Sequence, residues 1–129
     1  MLGTVPDTRP LVLYVEDEVA LHRLIGFWLE DAGFAVEVAL DGAEALRAID
    51  RHRPDLVITD AMMPVMTGDE LVETMKSDPS LDDIPVIMAT AAASPFRTER
   101  MLARGCVAVL AKPLDQESFV AAARAALAD

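Results

Sequence analysis

The sequence has 129 residues, of which 53% are hydrophobic and 26% are charged, a composition typical of one globular domain rather than of a disordered chain. Its 22 acidic residues against 11 lysines and arginines give a formal net charge of −11, and such a surface repels phosphate backbones and anionic lipids. We therefore expect no nucleic acid and no membrane among its partners, whereas a cation or a protein with a basic patch fits this charge.

Five short apolar runs rich in β-branched residues predict strands, at residues 11–15, 34–39, 55–59, 85–89 and 107–111. The spacing of apolar residues predicts helices between and after them, at 18–32, 42–52, 69–77, 95–104 and 115–128. The first helix has the clearest pattern, because one apolar stripe runs through Leu21, Leu24, Ile25, Trp28, Leu29 and Ala32. We expect this stripe, including Trp28, to be buried, and Gly33 to end the helix.

The predicted strands are continuously apolar instead of alternating, which is typical of strands that are buried on both faces. Since a helix follows each strand, the pattern predicts an α/β fold with a parallel sheet and helices on both sides. We expect the whole chain, 1–129, to form one domain with a core at about 11–128. No apolar run reaches bilayer-spanning length and the N-terminus lacks a signal-peptide pattern, so a cytoplasmic location is expected. Cys106 has no second cysteine to pair with and is expected to be a small buried hydrophobic residue.

Charged and hydroxyl side chains follow the predicted strands at their carboxyl ends. Glu16 and Asp17 follow the first strand, Asp60 the third, Thr90 the fourth and Lys112 the fifth. The carboxyl ends of parallel strands share one edge of the sheet, where the ligand crevice of open α/β sheets forms, so we expect these side chains to meet. Three carboxylates at one crevice raise each other's pKa unless a cation neutralises them, and Mg²⁺ is bound by a few carboxylates and waters. The residues therefore predict a Mg²⁺ site at Glu16, Asp17 and Asp60.

A structural interpretation of the same residues stays open. The acidic run from Glu16 to Glu18 is also typical of a helix start, where the helix dipole favours negative charge. Asp60 is also consistent with a turn, and Thr90 suits a strand end. Lys112 differs from these, because a charge inside an apolar run needs an anionic partner when it is buried. The methionines that follow Asp60 either form an adaptable protein-binding surface or pack around their own loop.

Four segments at the ends of predicted strands carry a family resemblance: LYVEDE, VITDAMMPVMTG, PVIMATA and VLAKPL. Together they resemble the receiver domains of bacterial two-component response regulators, and the resemblance extends from about residue 11 to residue 128. It implies a flavodoxin-like five-stranded parallel sheet of order 2-1-3-4-5, and a Mg²⁺ cofactor. It also implies a phosphorylation-controlled signalling switch. Such a switch is not an enzyme in the ordinary sense, although it is expected to catalyse its own phosphorylation and dephosphorylation.

The resemblance assigns Asp60 as the phosphoacceptor for a histidine kinase or a histidine phosphotransfer protein, with an unknown protein as the downstream target. Asp17 and Asp60 would ligate Mg²⁺ directly, and Met62 would add its backbone carbonyl. Glu16 would act mainly through a bound water. Such a metal offsets the repulsion between the acceptor carboxylate and the incoming phosphoryl group.

The remaining family positions hold the phosphoryl group itself. Thr90 resembles the hydroxyl that bonds a phosphoryl oxygen, and Lys112 resembles the ammonium that pairs with it. The backbone N–H groups of Ala61 and Ala91 would complete the cradle. The resemblance also implies a cis peptide bond between Lys112 and Pro113.

Two departures from the family pattern concern signalling and the lifetime of the phosphorylated state. Val109 stands where many receivers carry a tyrosine or phenylalanine, so a large aromatic rotation is not expected. The signal is instead expected to travel through residues 90–96, with Phe96 as a candidate reporter and simple core packing as its alternative. Met62 and Ala92 stand where polar side chains often steer the hydrolytic water.

Three functions fit these residues. The first is a single-domain regulator whose phosphorylated surface, near the fourth helix and fifth strand, binds a signalling protein. The second is a shuttle or sink that carries phosphoryl groups between a kinase and phosphotransfer proteins. The third is a Mg²⁺-dependent phosphohydrolase of small phosphates, which the short crevice loops disfavour because they leave no substrate-recognition insertion. The sequence is also compatible with a part of a larger regulator.

Overall fold

The computed structural model describes residues 7–91 and 93–128, and strands and helices alternate over these ranges. The strands are β1 (Leu11–Val15), β2 (Ala35–Ala39), β3 (Leu56–Thr59), β4 (Val86–Thr90) and β5 (Ala108–Ala111). The helices are α1 (Val19–Asp31), α2 (Gly42–Arg51), α3 (Gly68–Ser77), α4 (Pro95–Ala103) and α5 (Gln116–Leu127). Each element lies where the sequence predicts one, and its ends differ from the predicted ends by one residue at most. Within the described ranges, no helix is both long enough and apolar enough to cross a membrane.

The strands form one parallel sheet in the order β2-β1-β3-β4-β5, as the family resemblance predicts. β1 lies between β2 and β3, since Val15 pairs with Ala39 on one side and with Thr59 on the other. Thr59 in turn pairs with Met88 of β4. The direction of chain progression reverses between β1 and β3, so the crevice of this fold opens beyond the carboxyl ends of these two strands.

A hydrophobic layer covers each face of the sheet. On one face, α1 and α5 contribute buried residues that include Ile25 and Phe119. On the other face, α2, α3 and α4 contribute a second cluster that includes Ile49, Leu71 and Met101. The prediction of helices on both sides of a parallel sheet is therefore confirmed.

Side-chain caps determine where the helices near the crevice begin. Thr67 and Glu70 form a reciprocal capping box at the start of α3, in which the Glu70 N–H donates to Thr67 Oγ1 at 3.2 Å and the Thr67 N–H donates to Glu70 Oε1 at 3.1 Å. The hydroxyl of Ser94 accepts from the Arg97 N–H at 3.1 Å and caps α4. At the end of α1, Gly33 has φ +98°, the left-handed conformation that favours glycine, and it ends the helix as predicted.

Burial on both faces holds for the inner strands β1, β3 and β4 but not for the two edge strands. Val38 in β2 is 44% exposed, and the residues of β5 are half-buried or exposed. The prediction of full burial is wrong for β2 and β5, because an edge strand has a neighbouring strand on one side only.

The apolar stripe of α1 is only partly buried. Ile25 and Leu29 are fully buried, whereas Leu24 is 47% exposed. Trp28 is half-buried and packs against Phe119 with 6.0 Å between the ring centroids, so it lies at the border of the core. The expected burial of the whole stripe is wrong at Leu24, because the sheet covers a narrower face of the helix than the apolar residues occupy.

Cys106 lies just before β5 and is 4% exposed. Burial raises the pKa of its thiol to about 11, so the thiol stays protonated at neutral pH. The prediction of a small buried hydrophobic residue at this position is confirmed.

Candidate functional site

The predicted site residues meet at the carboxyl edge of the sheet because the parallel hydrogen-bond ladder continues beyond the strand ends. Glu16 directly follows β1, and the N–H of Asp60, just after β3, donates to the carbonyl of Val15 at 3.0 Å. On the far side of the crevice, the N–H of Lys112 donates to the carbonyl of Thr90 at 3.0 Å. These backbone bonds hold residues from four strand ends over one crevice.

Three carboxylates lie together in this crevice. One oxygen from each of Glu16, Asp17 and Asp60 lies within 4.8 Å of the other two. Glu16 and Asp60 are 1% and 8% exposed, whereas Asp17 is exposed. Carboxylate oxygens at this spacing are the ligands that a hard divalent cation prefers. The structure thus brings the three predicted residues together, while their role as metal ligands stays a prediction.

Lys112 reaches the same crevice from the end of β5. Its Nζ lies 2.5 Å from Oε1 of Glu16 and 3.3 Å from Oδ2 of Asp60. Burial alone would lower the pKa of this lysine, but the hydrogen bond and charge of Glu16, with the charge of Asp60, raise the pKa above its ordinary value. The ammonium therefore stays charged, and it has the anionic partners that a charge in an apolar run requires. The peptide bond between Lys112 and Pro113 is cis, as the resemblance predicts.

The carboxylate of Glu16 accepts hydrogen bonds at both of its oxygens. Besides Lys112, the Tyr14 hydroxyl lies 3.4 Å from Oε1, and the Glu18 N–H donates to Oε2 at 3.2 Å. Burial raises the pKa of Glu16, while the bonds from Lys112 and Glu18 lower it in part. A ring nitrogen of His22 contacts the backbone carbonyl of Glu16. Glu16 is thus held through both its side chain and its backbone.

The sequence patterns that predicted the site did not point to Tyr14. The available signal was the two-residue period of a strand, which places Tyr14 and Glu16 on the same face of β1 and its extension. Burial raises the pKa of the Tyr14 phenol well above its usual range, and the charge of Glu16 raises it further. The phenol is therefore a hydrogen-bond donor at physiological pH.

The backbone around Asp60 is packed against the start of α3. The N–H of Ala61 donates to Oδ1 of Asp60 at 2.7 Å, and the N–H of Gly68 donates to the carbonyl of Ala61 at 3.0 Å. A Cβ atom at position 68 would collide with the backbone carbonyl oxygen of Asp60. Glycine is therefore required for this close approach. The sequence patterns that predicted the site did not point to Gly68, although a glycine directly before the predicted third helix was a signal for it.

The methionines that follow Asp60 differ in their surroundings. Met63 is 8% exposed and belongs to the hydrophobic cluster under α2 and α3, and Met66 packs against that cluster. Met62 is 65% exposed. The interpretation that these methionines pack around their own loop is therefore confirmed for Met63 and Met66 but not for Met62. The backbone carbonyl of Met62 stays a predicted metal ligand.

Val65, in the loop between β3 and α3, has φ +67° and is 82% exposed. This left-handed conformation costs an ordinary L-residue about 1–2 kcal/mol, and asparagine adopts it more readily than a β-branched residue does. We expect Val65→Asn to raise the free energy of unfolding by about 1 kcal/mol, measured by urea denaturation.

The matched control for this substitution is Val107→Asn. Val107 is 50% exposed, and among the described residues a positive φ outside glycine occurs at Val65 and not at Val107. The control should therefore bring no gain in stability. A Val65→Asn protein less stable than its parent would contradict the assignment of backbone strain to Val65.

Thr90, the predicted phosphoryl-binding hydroxyl, and Val109, a residue of the predicted switch region, lie in the paired strands β4 and β5. Thr90 is the last residue of β4 and is 1% exposed. Val109 in β5 pairs with Met88, is half-buried and packs against the cluster that contains Met88. Val109 therefore occupies the border of the core, and a branched side chain there has no ring to rotate.

The segment after β4 leads from the crevice to α4. Phe96, in the first turn of α4, is 75% exposed, so the alternative of simple core packing is wrong for this residue. Ala91 is exposed, and Ala92 lies outside the described residues. The expectation that the signal travels through residues 90–96 stays a prediction.

Comparisons with known proteins agree with this geometry. The family model of the response regulator receiver domain matches residues 12–124. The polar-differentiation response regulator DivK of Brucella anthropi is 34% identical over 118 residues, which cover 92% of this chain and 96% of DivK. Hybrid signal transduction histidine kinase D of Dictyostelium discoideum is 39% identical over 113 residues. That match covers 88% of this chain but only 7% of the kinase, so the chain corresponds to a small part of this relative.

A solved structure extends the likeness to three dimensions. The chemotaxis response regulator CheY4 of Vibrio cholerae aligns with a TM-score of 0.86 at 34% sequence identity, covering 93% of this chain and 100% of CheY4. The family match begins in β1 and ends in α5, so it contains the whole sheet except Leu11 and all the crevice residues. On these grounds the chain belongs to the family of response regulator receiver domains.

Proposed function

We propose that this protein is a phosphorylation-controlled switch of a two-component system, which accepts a phosphoryl group on Asp60 from a histidine kinase or a histidine phosphotransfer protein. The observation that best supports this proposal is the ammonium of Lys112, held 3.3 Å from the nearly buried carboxylate of Asp60. Transfer of an anionic group to a carboxylate requires such a preorganised positive charge. The chain would act as one receiver unit in the cytoplasm and signal through protein–protein contacts.

The donor set of the crevice fits Mg²⁺ as the cofactor. Asp17 and Asp60 would bind the ion directly, together with the backbone carbonyl of Met62, and Glu16 would act through a water. Three carboxylates beside one ammonium leave an excess of negative charge, which a hard divalent cation offsets. When bound, Mg²⁺ supplies charge neutralisation between the acceptor carboxylate and the phosphoryl oxygens.

The proposed reaction is a phosphoryl transfer from histidine to aspartate. A carboxylate oxygen of Asp60 attacks phosphorus, a P–O bond forms, and the P–N bond of the donor breaks. The electron pair of that bond stays on the imidazole nitrogen, which takes up a proton from solvent. Lys112 and the Thr90 hydroxyl would pair with phosphoryl oxygens, and backbone N–H groups would complete the cradle. The N–H of Ala61, which donates to Oδ1 of Asp60 at 2.7 Å, would turn to the phosphoryl group, joined by the N–H of Ala91.

Incubation with acetyl phosphate and Mg²⁺ tests this proposal. We expect one phosphoryl group per chain, as an acid-stable and base-labile adduct that adds about one negative charge. Peptide mapping by mass spectrometry should place the adduct on Asp60. The Asp60→Asn variant is the control and should stay unlabelled. A label on another residue, or a parent protein that takes up no label, would contradict the proposal.

The labelled protein also separates a switch from the two alternatives. If the protein is a switch, its phosphorylated form binds a further protein, whereas its Asp60→Ala variant does not. A shuttle returns the phosphoryl group to the histidine of a phosphotransfer protein without a new binding partner. A phosphohydrolase turns over free phosphate monoesters and accumulates inorganic phosphate. We expect the first behaviour.

Replacing Asp17 with asparagine should weaken Mg²⁺ binding and phosphorylation together, because the cluster loses one charge while the side chain keeps its shape. We expect the dissociation constant for Mg²⁺ to rise at least about 10-fold, the loss that follows removal of even a residue that supports a ligand. Isothermal titration calorimetry measures this constant.

The matched control is Asp31→Asn, which makes the same charge change at the exposed far end of α1. It should leave both Mg²⁺ binding and phosphorylation unchanged. If the Asp17→Asn titration coincides with that of the parent protein, the assignment of Asp17 as a ligand is wrong.

A further inference from the structure

Tyr14 is the only tyrosine of the sequence, and its side chain is fully buried in β1. Its ring stands edge-on to Phe119, with 6.4 Å between the ring centroids, and to His22, with 6.1 Å. The hydroxyl lies 3.4 Å from Oε1 of Glu16, at the edge of the crevice. A phenylalanine would fill the same space in the core, so the hydroxyl is the part of Tyr14 that packing does not explain.

We propose that Tyr14 is a positioning residue for the acceptor site: its hydroxyl holds Glu16 in place when Lys112 moves from Glu16 to a phosphoryl group on Asp60. This inference rests on the proposed function, because it concerns the phosphorylated protein. The interaction proposed is one hydrogen bond, which the phenolic O–H of Tyr14 donates to a carboxylate oxygen of Glu16.

In the unphosphorylated protein, Lys112 is held mainly by Glu16. Nζ lies 2.5 Å from Oε1 of Glu16 but 3.3 Å from Oδ2 of Asp60. Phosphorylation of Asp60 adds roughly one negative charge there. Since Coulomb attraction grows with the opposing charge, the ammonium is drawn toward Asp60 and away from Glu16.

Oε1 of Glu16 then loses its closest donor, and because Glu16 is 1% exposed, a donor from the protein itself lowers the cost of this buried carboxylate oxygen. The Glu18 N–H donates to the other oxygen, Oε2. Of the hydrogen bonds to Oε1 from the described residues, the one that remains after Lys112 leaves is that of the Tyr14 hydroxyl.

The geometry leaves room for this bond to strengthen. The present O···O separation of 3.4 Å is longer than the usual separation of about 2.7–2.8 Å for this type of bond. Lys112 occupies the closer position at Oε1. Once the ammonium withdraws, a small movement of the carboxylate toward Tyr14 gives a hydrogen bond of ordinary length.

The Tyr14→Phe variant tests the role of the hydroxyl, because it keeps the ring. We expect acetyl phosphate and Mg²⁺ to phosphorylate it about 3- to 10-fold more slowly than the parent protein, which is the effect of one hydrogen bond. The control is Ile49→Val, which removes one buried methylene on the opposite face of the sheet. It should lower the stability to urea while leaving the phosphorylation rate unchanged.

A spectroscopic readout follows the hydrogen bond itself. Tyrosine labelled with ¹³C at Cζ gives one resonance in this protein, because the sequence contains one tyrosine. Relative to a sample with Mg²⁺ alone, addition of beryllofluoride as a mimic of the phosphoryl group should move this resonance, since the bond from Tyr14 to Glu16 shortens. In the Asp60→Asn variant the resonance should stay in place.

The outcomes separate this inference from the proposed function. A Tyr14→Phe protein phosphorylated at the parental rate would overturn the role of Tyr14 and leave the proposed function intact. The same holds for a Cζ resonance that does not move in a parent protein that binds beryllofluoride and takes up the phosphoryl group. A parent protein that takes up no phosphoryl group would overturn both.

Discussion

Replacing Lys112 with methionine is expected to slow the phosphorylation of Asp60 by about 10²–10³-fold, the loss that follows removal of one preorganised donor from a site of developing negative charge. The ammonium forms ion pairs with both Glu16 and Asp60 in the crevice. Methionine keeps most of the apolar stem of lysine, so the interaction lost is that of the charge. Mass spectrometry of the acyl phosphate formed from acetyl phosphate and Mg²⁺ gives the rate.

The other lysine of the sequence, Lys76, provides the control. Its ammonium donates to the backbone carbonyls of Asp82 and Ile84, both at 3.0 Å, and so lies away from the crevice. Lys76→Met makes the same change of charge and should be phosphorylated at the parental rate. If Lys112→Met also keeps the parental rate, the ammonium has no part in the transfer.

Replacing Gly68 with alanine is expected to lower the free energy of unfolding by about 3 kcal/mol or more, the upper end of the effect of overpacking. The added Cβ would collide with the backbone carbonyl oxygen of Asp60. This carbonyl belongs to the main chain and accepts a hydrogen bond from the Thr59 hydroxyl at 3.0 Å, so it cannot rotate away as the end of a flexible side chain can. Urea denaturation followed by circular dichroism measures the loss.

A second glycine provides a control, because its replacement by alanine is expected to raise the free energy of unfolding instead of lowering it. Gly26 lies inside α1, and a Cβ there would meet nothing within 4 Å. Because alanine is favoured over glycine in a helix interior by about 0.8–1.0 kcal/mol, Gly26→Ala should stabilise the protein. A loss of stability at position 26 as large as that at position 68 would show that the collision with Asp60 is not the cause.

The positions of the strands and helices were predictable from the sequence, because inner strands that are buried on both faces appear as continuous apolar runs. The residues of β3 (Leu56–Thr59) are all buried, and their apolar side chains leave no alternating pattern to mistake for a surface strand. The length of each interval between strands then allows one helix and its turns. Element type and position therefore depend on local patterns that a sequence shows.

Degree of burial was less predictable, since it depends on which elements become neighbours. Val38 and Leu24 are as apolar as residues of the core, yet one lies in an edge strand and the other on the rim of α1. Phe96 is apolar as well, yet it is 75% exposed in the first turn of α4. The hydrophobicity of a residue does not show which elements will pack against it in the folded protein.

The crevice was predictable in part. The side chains that meet there, such as Glu16, Asp60 and Lys112, each follow a strand directly, and parallel strands end at one edge. The close approach of Gly68 to Asp60, in contrast, depends on a three-dimensional separation of atoms. So does the contact of the Tyr14 hydroxyl with Glu16, which requires both the strand period and the side-chain lengths.

Tyr14, Phe119 and Trp28 form a continuous row of rings that runs from the strand beneath Glu16 to the partly exposed surface of α1. The first and last rings of this row are the only tyrosine and the only tryptophan of the sequence. We therefore expect excitation absorbed by Tyr14 to pass by resonance transfer to Trp28, so that the folded protein emits as a tryptophan protein. Unfolding separates the two rings and releases tyrosine emission. The ratio of the two emission bands thus reports, without any label, whether the layer formed by α1, β1 and α5 is assembled.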